Sequence, residues 1–140
     1  MKLKFILSLL LLLTFVNANA HTLASNTKTS ARVEISMYSN DIPFDILTTG
    51  EEDGSRSALP LIPIVVFLEE TNHSIVLDFI KPIGVVEVTI SQNGAVVYSS
   101  LENIQDAMLN IIKLSPELFG SFLLEIEGAN SACIYGDFSL

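Results

Sequence analysis

Val85 to Ser100, VVEVTISQNGAVVYSS, constrains this chain more than any other stretch. Val86, Val88 and Ile90 alternate with Glu87, Thr89 and Ser91, so an extended chain places one set on a dry face and the other in water. Asn93-Gly94 follows, and these two residue types adopt positive φ at the lowest cost, which makes the stretch a β-hairpin. Two registers fit. A two-residue turn sets Val97 opposite Ile90. A three-residue loop, Gln92 to Gly94, sets Val96 opposite Ile90 and Tyr98 opposite Val88. The second is favoured, because it joins Val96 and Tyr98 to the apolar face; a slip of one residue turns the whole second strand over.

The chain begins with Met1-Lys2-Leu3-Lys4, an apolar run from Phe5 to Val16, and Ala18-Asn19-Ala20. A basic start, a short apolar core and a small-x-small site describe a signal peptide over residues 1–20, cleaved to leave His21 first. The run is too short for a membrane span, which needs about 20 apolar residues. The expected location is outside the cytoplasm, in the periplasm or beyond the cell. Removing the leader leaves five cations facing sixteen carboxylates, a net charge of −11. Such a surface repels phosphate backbones, so nucleic acid is excluded as a partner.

Cys133 is the single cysteine, so no internal disulfide forms and stability must come from the core. It lies in an apolar stretch and reads as a buried, inert thiol.

Residues 21–58 form an N-terminal extension. Within it Arg32 to Tyr38 alternates as one strand, and Thr48 to Ser57, with two glycines and three consecutive carboxylates, is an acidic loop. The extension strand either folds back on its own sheet or reaches into a second copy, making residues 32–38 a candidate homodimer contact. Residues 59–140 form the main domain. Its strand-like segments are Ile64 to Leu68, apolar on both faces, then Ser74 to Ile80, the two hairpin arms, Met108 to Leu114, Ser121 to Glu127, and Ala132 to Leu140. Leu101 to Asp106 reads as a polar connection, and Ser115-Pro116-Glu117 as the cap of one short helical turn. About seven antiparallel strands without a helix-period segment predict an all-β, immunoglobulin- or fibronectin-like sandwich.

Four features together resemble a family. They are Arg56-Ser57 ahead of Ile62-Pro63-Ile64, the strand Ile83 to Ile90, Gly94 leading to Val96-Val97-Tyr98, and the closing Tyr135-Gly136-Asp137-Phe138. The chain resembles an uncharacterised, domain-of-unknown-function family of short secreted proteins of gut Bacteroidetes. The resemblance implies a seven-stranded β-sandwich and no catalytic residue. The strand pattern is also similar to C-terminal sorting domains of a secretion system in that phylum, but there is no large passenger here to sort. At Gly120-Ser121-Phe122 related sandwiches carry Gly-x-Tyr, whose hydroxyl fixes a corner. Phe122 has none, so packing must fix this one.

Catalytic motifs are missing: there is no G-x-S-x-G, no H-E-x-x-H, no phosphate-cradling glycine loop and no Cys/His metal spacing. No cofactor and no metal are expected. Glu51-Glu52-Asp53 reads as a solvated loop tip. His73 reads as a turn residue, and a nucleophilic Cys133 would need it as a partner. Asp78 and Glu87 lie on polar strand faces and form the one carboxylate pair considered for glycosidase chemistry. The expectation is a non-enzymatic module that binds an unknown protein or a glycan. Tyr98 and Tyr135 are the candidate ligand-binding residues, each offering a ring with a polar tip.

Overall fold

The structure, a computed structural model, describes residues 31–47 and 62–140. The leader, the polar tail to residue 30, the acidic loop with Glu51-Glu52-Asp53, and Arg56-Ser57 lie outside the described residues. Nine strands follow in order: β1 (Arg32–Ile35), β2 (Tyr38–Ser39), β3 (Ile64–Glu69), β4 (Ser74–Phe79), β5 (Gly84–Gln92), β6 (Ala95–Ile104), β7 (Met108–Lys113), β8 (Ser121–Gly128) and β9 (Cys133–Ser139). The single helical element among the described residues is a 3₁₀ turn, Glu70–Asn72, between β3 and β4.

The strands form two antiparallel sheets, a four-stranded one ordered β1-β3-β4-β7 and a five-stranded one ordered β2-β9-β8-β5-β6. Alternation decides what lies between them. Ile64, Val66 and Leu68 of β3 and Ile75, Leu77 and Phe79 of β4 face Val86, Val88 and Ile90 of β5 and Phe122, Leu124 and Ile126 of β8, and all are buried. Each such side chain contributes about 1.5–3 kcal/mol relative to an exposed position. The seven strands β3 to β9 are those expected between Leu59 and Leu140.

Residues 32–39 pair with strands of both sheets in the same chain. β1 lies along β3, with Ile35 opposite Val66. The chain then crosses the gap between the sheets at Ser36-Met37, and β2 lies along β9, with Tyr38 opposite Tyr135. One strand thus closes one side of the sandwich. Gly136 makes the crossing feasible, because a Cβ there would lie 2.7 Å from the Ser36 carbonyl oxygen and 2.7 Å from Met37 Sδ. Beyond the crossing, Asn40 accepts from the Cys133 amide through Oδ1 and donates to the Ser131 carbonyl through Nδ2. Phe44 is buried against Gly128. At the other end Arg32 Nε donates to Glu69 Oε1 at 2.6 Å. On the opposite side, edged by β6 and β7, no strand among the described residues crosses between the sheets.

The hairpin corrects the expected register. Asn93 and Gly94 have φ of 51° and 79°, the pair of positive values a two-residue turn needs, and Gln92 faces Ala95. A bulge then takes up Val97, so that Ile90 faces Tyr98 and Val88 faces Ser100. The bulge turns Tyr98 inward against the core as expected and leaves Val96 exposed, opposite Ser91. β6 also runs on to Ile104, through the residues read as a connection. Ile104 is buried opposite Gly84, which extends the ladder. Ser115-Pro116-Glu117 forms a turn, closed by the Leu118 amide on the Ser115 carbonyl at 3.1 Å, and no helix follows.

The corner lacking the tyrosine is fixed by backbone and by ring packing. Gly120 and Leu140 exchange two backbone hydrogen bonds of 2.9 and 3.0 Å. Gln92 Nε2 donates to the Phe119 carbonyl at 2.6 Å, and Phe122 stacks on Phe138 with ring centroids 5.3 Å apart.

Candidate functional site

The outer face of the five-stranded sheet gathers the polar and aromatic side chains most suited to binding. Strand registers arrange them in rows. Leu101, Glu87, Glu127 and Cys133 form one row across β6, β5, β8 and β9. Ser99, Thr89, Glu125, Tyr135 and Tyr38 form the next, reaching β2. Glu87, Thr89, Glu125, Glu127 and Cys133 line a shallow depression of about 150 Å³. Glu87 accepts a hydrogen bond from Ser99 Oγ at 3.3 Å. Glu87 and Glu127 are direct cross-strand neighbours of like charge, an arrangement that destabilises a sheet. The single ion pair among the described residues, Arg32 with Glu69, is on the other sheet.

Cys133 is half-buried at the rim of this depression. Burial pushes its thiol pKa up, and the charges of Glu125 and Glu127 push in the same direction. The thiol therefore stays protonated at neutral pH, the opposite of what a nucleophile needs. His73 is in the left-handed region (φ 47°) ahead of β4, in the other sheet, where its ring meets Phe119 edge-on at 6.4 Å. Cys133 and His73 therefore do not pair.

The expected candidates separate. Tyr135 is on the outer face, 41% exposed, beside Tyr38 at 58%. Their ring centroids are 5.9 Å apart with planes tilted by 31°. Tyr98 is on the inner side of the same sheet, packed against the core. It shares no surface with Tyr135, because the bulge at Val97 set its direction. Asp78 alternates with buried Leu77 and Phe79 and so points away from the core on the four-stranded sheet. Glu87 points away on the five-stranded sheet, so these two carboxylates do not meet. No group of three or more metal-ligating side chains occurs among the described residues. The sequence alone does not single out Glu125 and Glu127, nor does it set Tyr38 beside Tyr135. Register between strands far apart in the chain, β5 with β8 and β2 with β9, does so.

A second surface is apolar. On the outer face of the four-stranded sheet, Val76 lies in register between Phe67 and Ile111 and is itself fully buried. Leu109 is 58% exposed and Ile111 55% exposed on the edge strand β7, and on the edge of the other sheet Leu101 of β6 is 73% exposed.

Comparison with solved structures gives the architecture a counterpart. A DUF3244 family protein from Bacteroides vulgatus, with an immunoglobulin-like β-sandwich fold, superposes with a TM-score of 0.57 at 19% identity. The match covers 79% of this chain and 99% of that one. The fold is immunoglobulin-like. The neighbour also carries a domain-of-unknown-function name and a Bacteroides source, the kind of relative the sequence motifs resemble, and at this identity the likeness speaks for the fold. No protein-family model and no curated protein matches the chain. The function is unknown, and the fold itself hosts many functions.

Proposed function

We propose that this chain is a non-enzymatic binding or assembly module, exported from the cytoplasm, that meets its protein partner through the side of the sandwich edged by β6 and β7. One observation carries this reading. The two sides of the sandwich differ: one is edged by the short strands β1 and β2, of four and two residues, joined across the gap between the sheets, whereas the other is edged by β6 and β7, of ten and six residues, whose outer edges face no strand among the described residues. Unpaired strand edges flanked by exposed apolar side chains accept an added strand readily. The export part rests on the leader-like residues 1–20, and the non-enzymatic part on the separation of Cys133, His73, Asp78 and Glu87.

Site-specific photo-crosslinking in the native host tests it. A crosslinking residue at Leu101 or Leu109 is expected to give protein adducts, and one at Val33, on the closed side, none. No adducts from the first two positions, or equal yields from all three, would overturn the reading.

The Tyr38–Tyr135 pair favours a second reading, glycan binding on the outer face of the five-stranded sheet. Two exposed rings beside Glu125 offer stacking surface for a sugar ring and an acceptor for its hydroxyls. A glycan array is the test: a specific hit lost in Tyr38→Ala and Tyr135→Ala and kept in Tyr98→Phe supports it, and an array without hits removes it.

A further inference from the structure

We infer that the occupant of the β7 edge is a second copy of this chain, joined β7 to β7 in antiparallel fashion about a two-fold axis at Asn110. The inference rests on the open-edge reading above and names its partner.

The ladder with β4 fixes which backbone groups are available. It runs without interruption from Phe79 opposite Met108 to Ser74 opposite Lys113, and is extended where the Leu114 amide donates to the His73 carbonyl at 2.8 Å. In an antiparallel ladder the hydrogen-bonding direction alternates along the strand. The amides and carbonyls of Met108, Asn110 and Ile112 therefore point to β4. Those of Leu109, Ile111 and Lys113 point to the open edge.

This edge lacks the usual protection against pairing. Proline, bulges and charges are the common devices. β6 has its bulge at Val97, while β7 has no proline, no bulge and one charge at its end. Residues 106–114 contain two charged residues, Asp106 and Lys113, of opposite sign. In a protein of net charge −9 this is a stretch two copies can bring together without local repulsion.

Self-pairing about Asn110 satisfies every constraint at once. It sets Leu109 opposite Ile111 and Met108 opposite Ile112, outer residues with outer and inner with inner. The facing backbone groups are those pointing to the open edge. Lys113 comes opposite Ala107 of the other copy, one residue from its Asp106, and the symmetry repeats this contact at the other end. The two four-stranded sheets become one sheet of eight, and the apolar row Phe67, Val76, Ile111 continues into Leu109 of the second copy.

The test is sedimentation of the protein expressed with its own N-terminal segment, purified as the cell leaves it, from micromolar to millimolar concentration. A concentration-dependent dimer is expected. Ile111→Lys and Ile111→Pro should both be monomeric with melting temperatures near the parent's, since the Ile111 amide makes no bond to β4. Lys113→Glu should weaken the dimer roughly threefold to tenfold, two exposed ion pairs being lost, and adding Asp106→Lys should restore it. A monomer at every concentration, or a dimer indifferent to both Ile111 variants, overturns the inference. Crosslinking separates the two levels: an adduct of twice the chain mass at Leu109 supports self-pairing, an adduct with a different protein there, or adducts at Leu101 alone, overturns it and keeps the open-edge reading, and no adduct at either position overturns both.

Discussion

Replacing Gly136 by alanine should unseat the strand that closes the sandwich. The new Cβ would lie 2.7 Å from the Ser36 carbonyl oxygen, 2.7 Å from Met37 Sδ and 3.2 Å from Ile35 Cγ2. The methionine can rotate away, but the carbonyl belongs to the backbone that crosses between the sheets. Ordinary contact needs about 3.5 Å, so the crossing must retreat by about 0.8 Å. Overpacking of this kind costs about 1–3 kcal/mol, and relieving a strand of glycine returns about 0.5–1 kcal/mol. Because the Ser36 carbonyl cannot rotate away, the cost falls in the upper part of that range, about 2–3 kcal/mol, so the net loss is about 1–2.5 kcal/mol, a fall of about 4–20 °C in melting temperature for a domain of this size. Urea unfolding measures the first quantity and a thermal scan the second. Hydrogen exchange adds a local check, because the Asn40 amide bonds the Cys133 carbonyl at 3.0 Å just past the crossing and should exchange faster in the variant. Gly128→Ala is the comparison, since its Cβ would meet the buried Phe44 ring at 3.0 Å, a side chain rather than backbone, and should cost less. A Gly136→Ala protein within about 0.5 kcal/mol of the parent, with unchanged exchange at Asn40, refutes the steric account.

Glu127→Gln removes the like charge facing Glu87 and should stabilise the protein by about 0.2–1 kcal/mol, more at low salt than at high, as read by urea titration at two ionic strengths. Cys133 should react with iodoacetamide more slowly than free cysteine at pH 8, and faster once Glu125 and Glu127 are both changed to Gln, as followed by mass spectrometry. Its raised pKa also sets a sign for stability: the unfolded thiol ionises first, so the stability this group contributes is present below the unfolded pKa and lost as pH rises through the folded one. Gly94→Ala forces a side chain onto φ of 79° with open space around it, so it should cost about 1–2 kcal/mol through backbone strain alone, read by thermal unfolding.

Where side chains alternate and a turn residue marks the end, the sequence was sufficient. Val86 to Ile90, Ile75 to Phe79 and Phe122 to Ile126 could be assigned to strands and to a face because each has apolar residues at every second position. The closing strand was not legible as two elements. Ile35 and Met37 keep the period of a single strand while the chain changes sheets between them, and the trace of that change lies about 100 residues away, in Gly136 inside β9. The bulge was hidden because Val96 and Val97 are equally apolar, and it decided that Tyr98 turns inward while Tyr135 does not. The end of β6 was missed because Leu101, Glu102 and Asn103 read as a polar connection, yet Ile104 buries and holds the ladder. The acidic row was out of reach for a different reason. Glu87 and Glu127 are 40 residues apart, and only the register of β5 against β8 makes them neighbours.

The account depends on an open edge at β7, and native-state hydrogen exchange on a dilute sample examines it residue by residue. Slow exchange at Asn110 and Ile112, whose amides point to β4, with fast exchange at Leu109, Ile111 and Lys113, is the predicted alternation. Equal protection at all five in dilute solution would mean that the chain covers this edge itself, and would contradict the account.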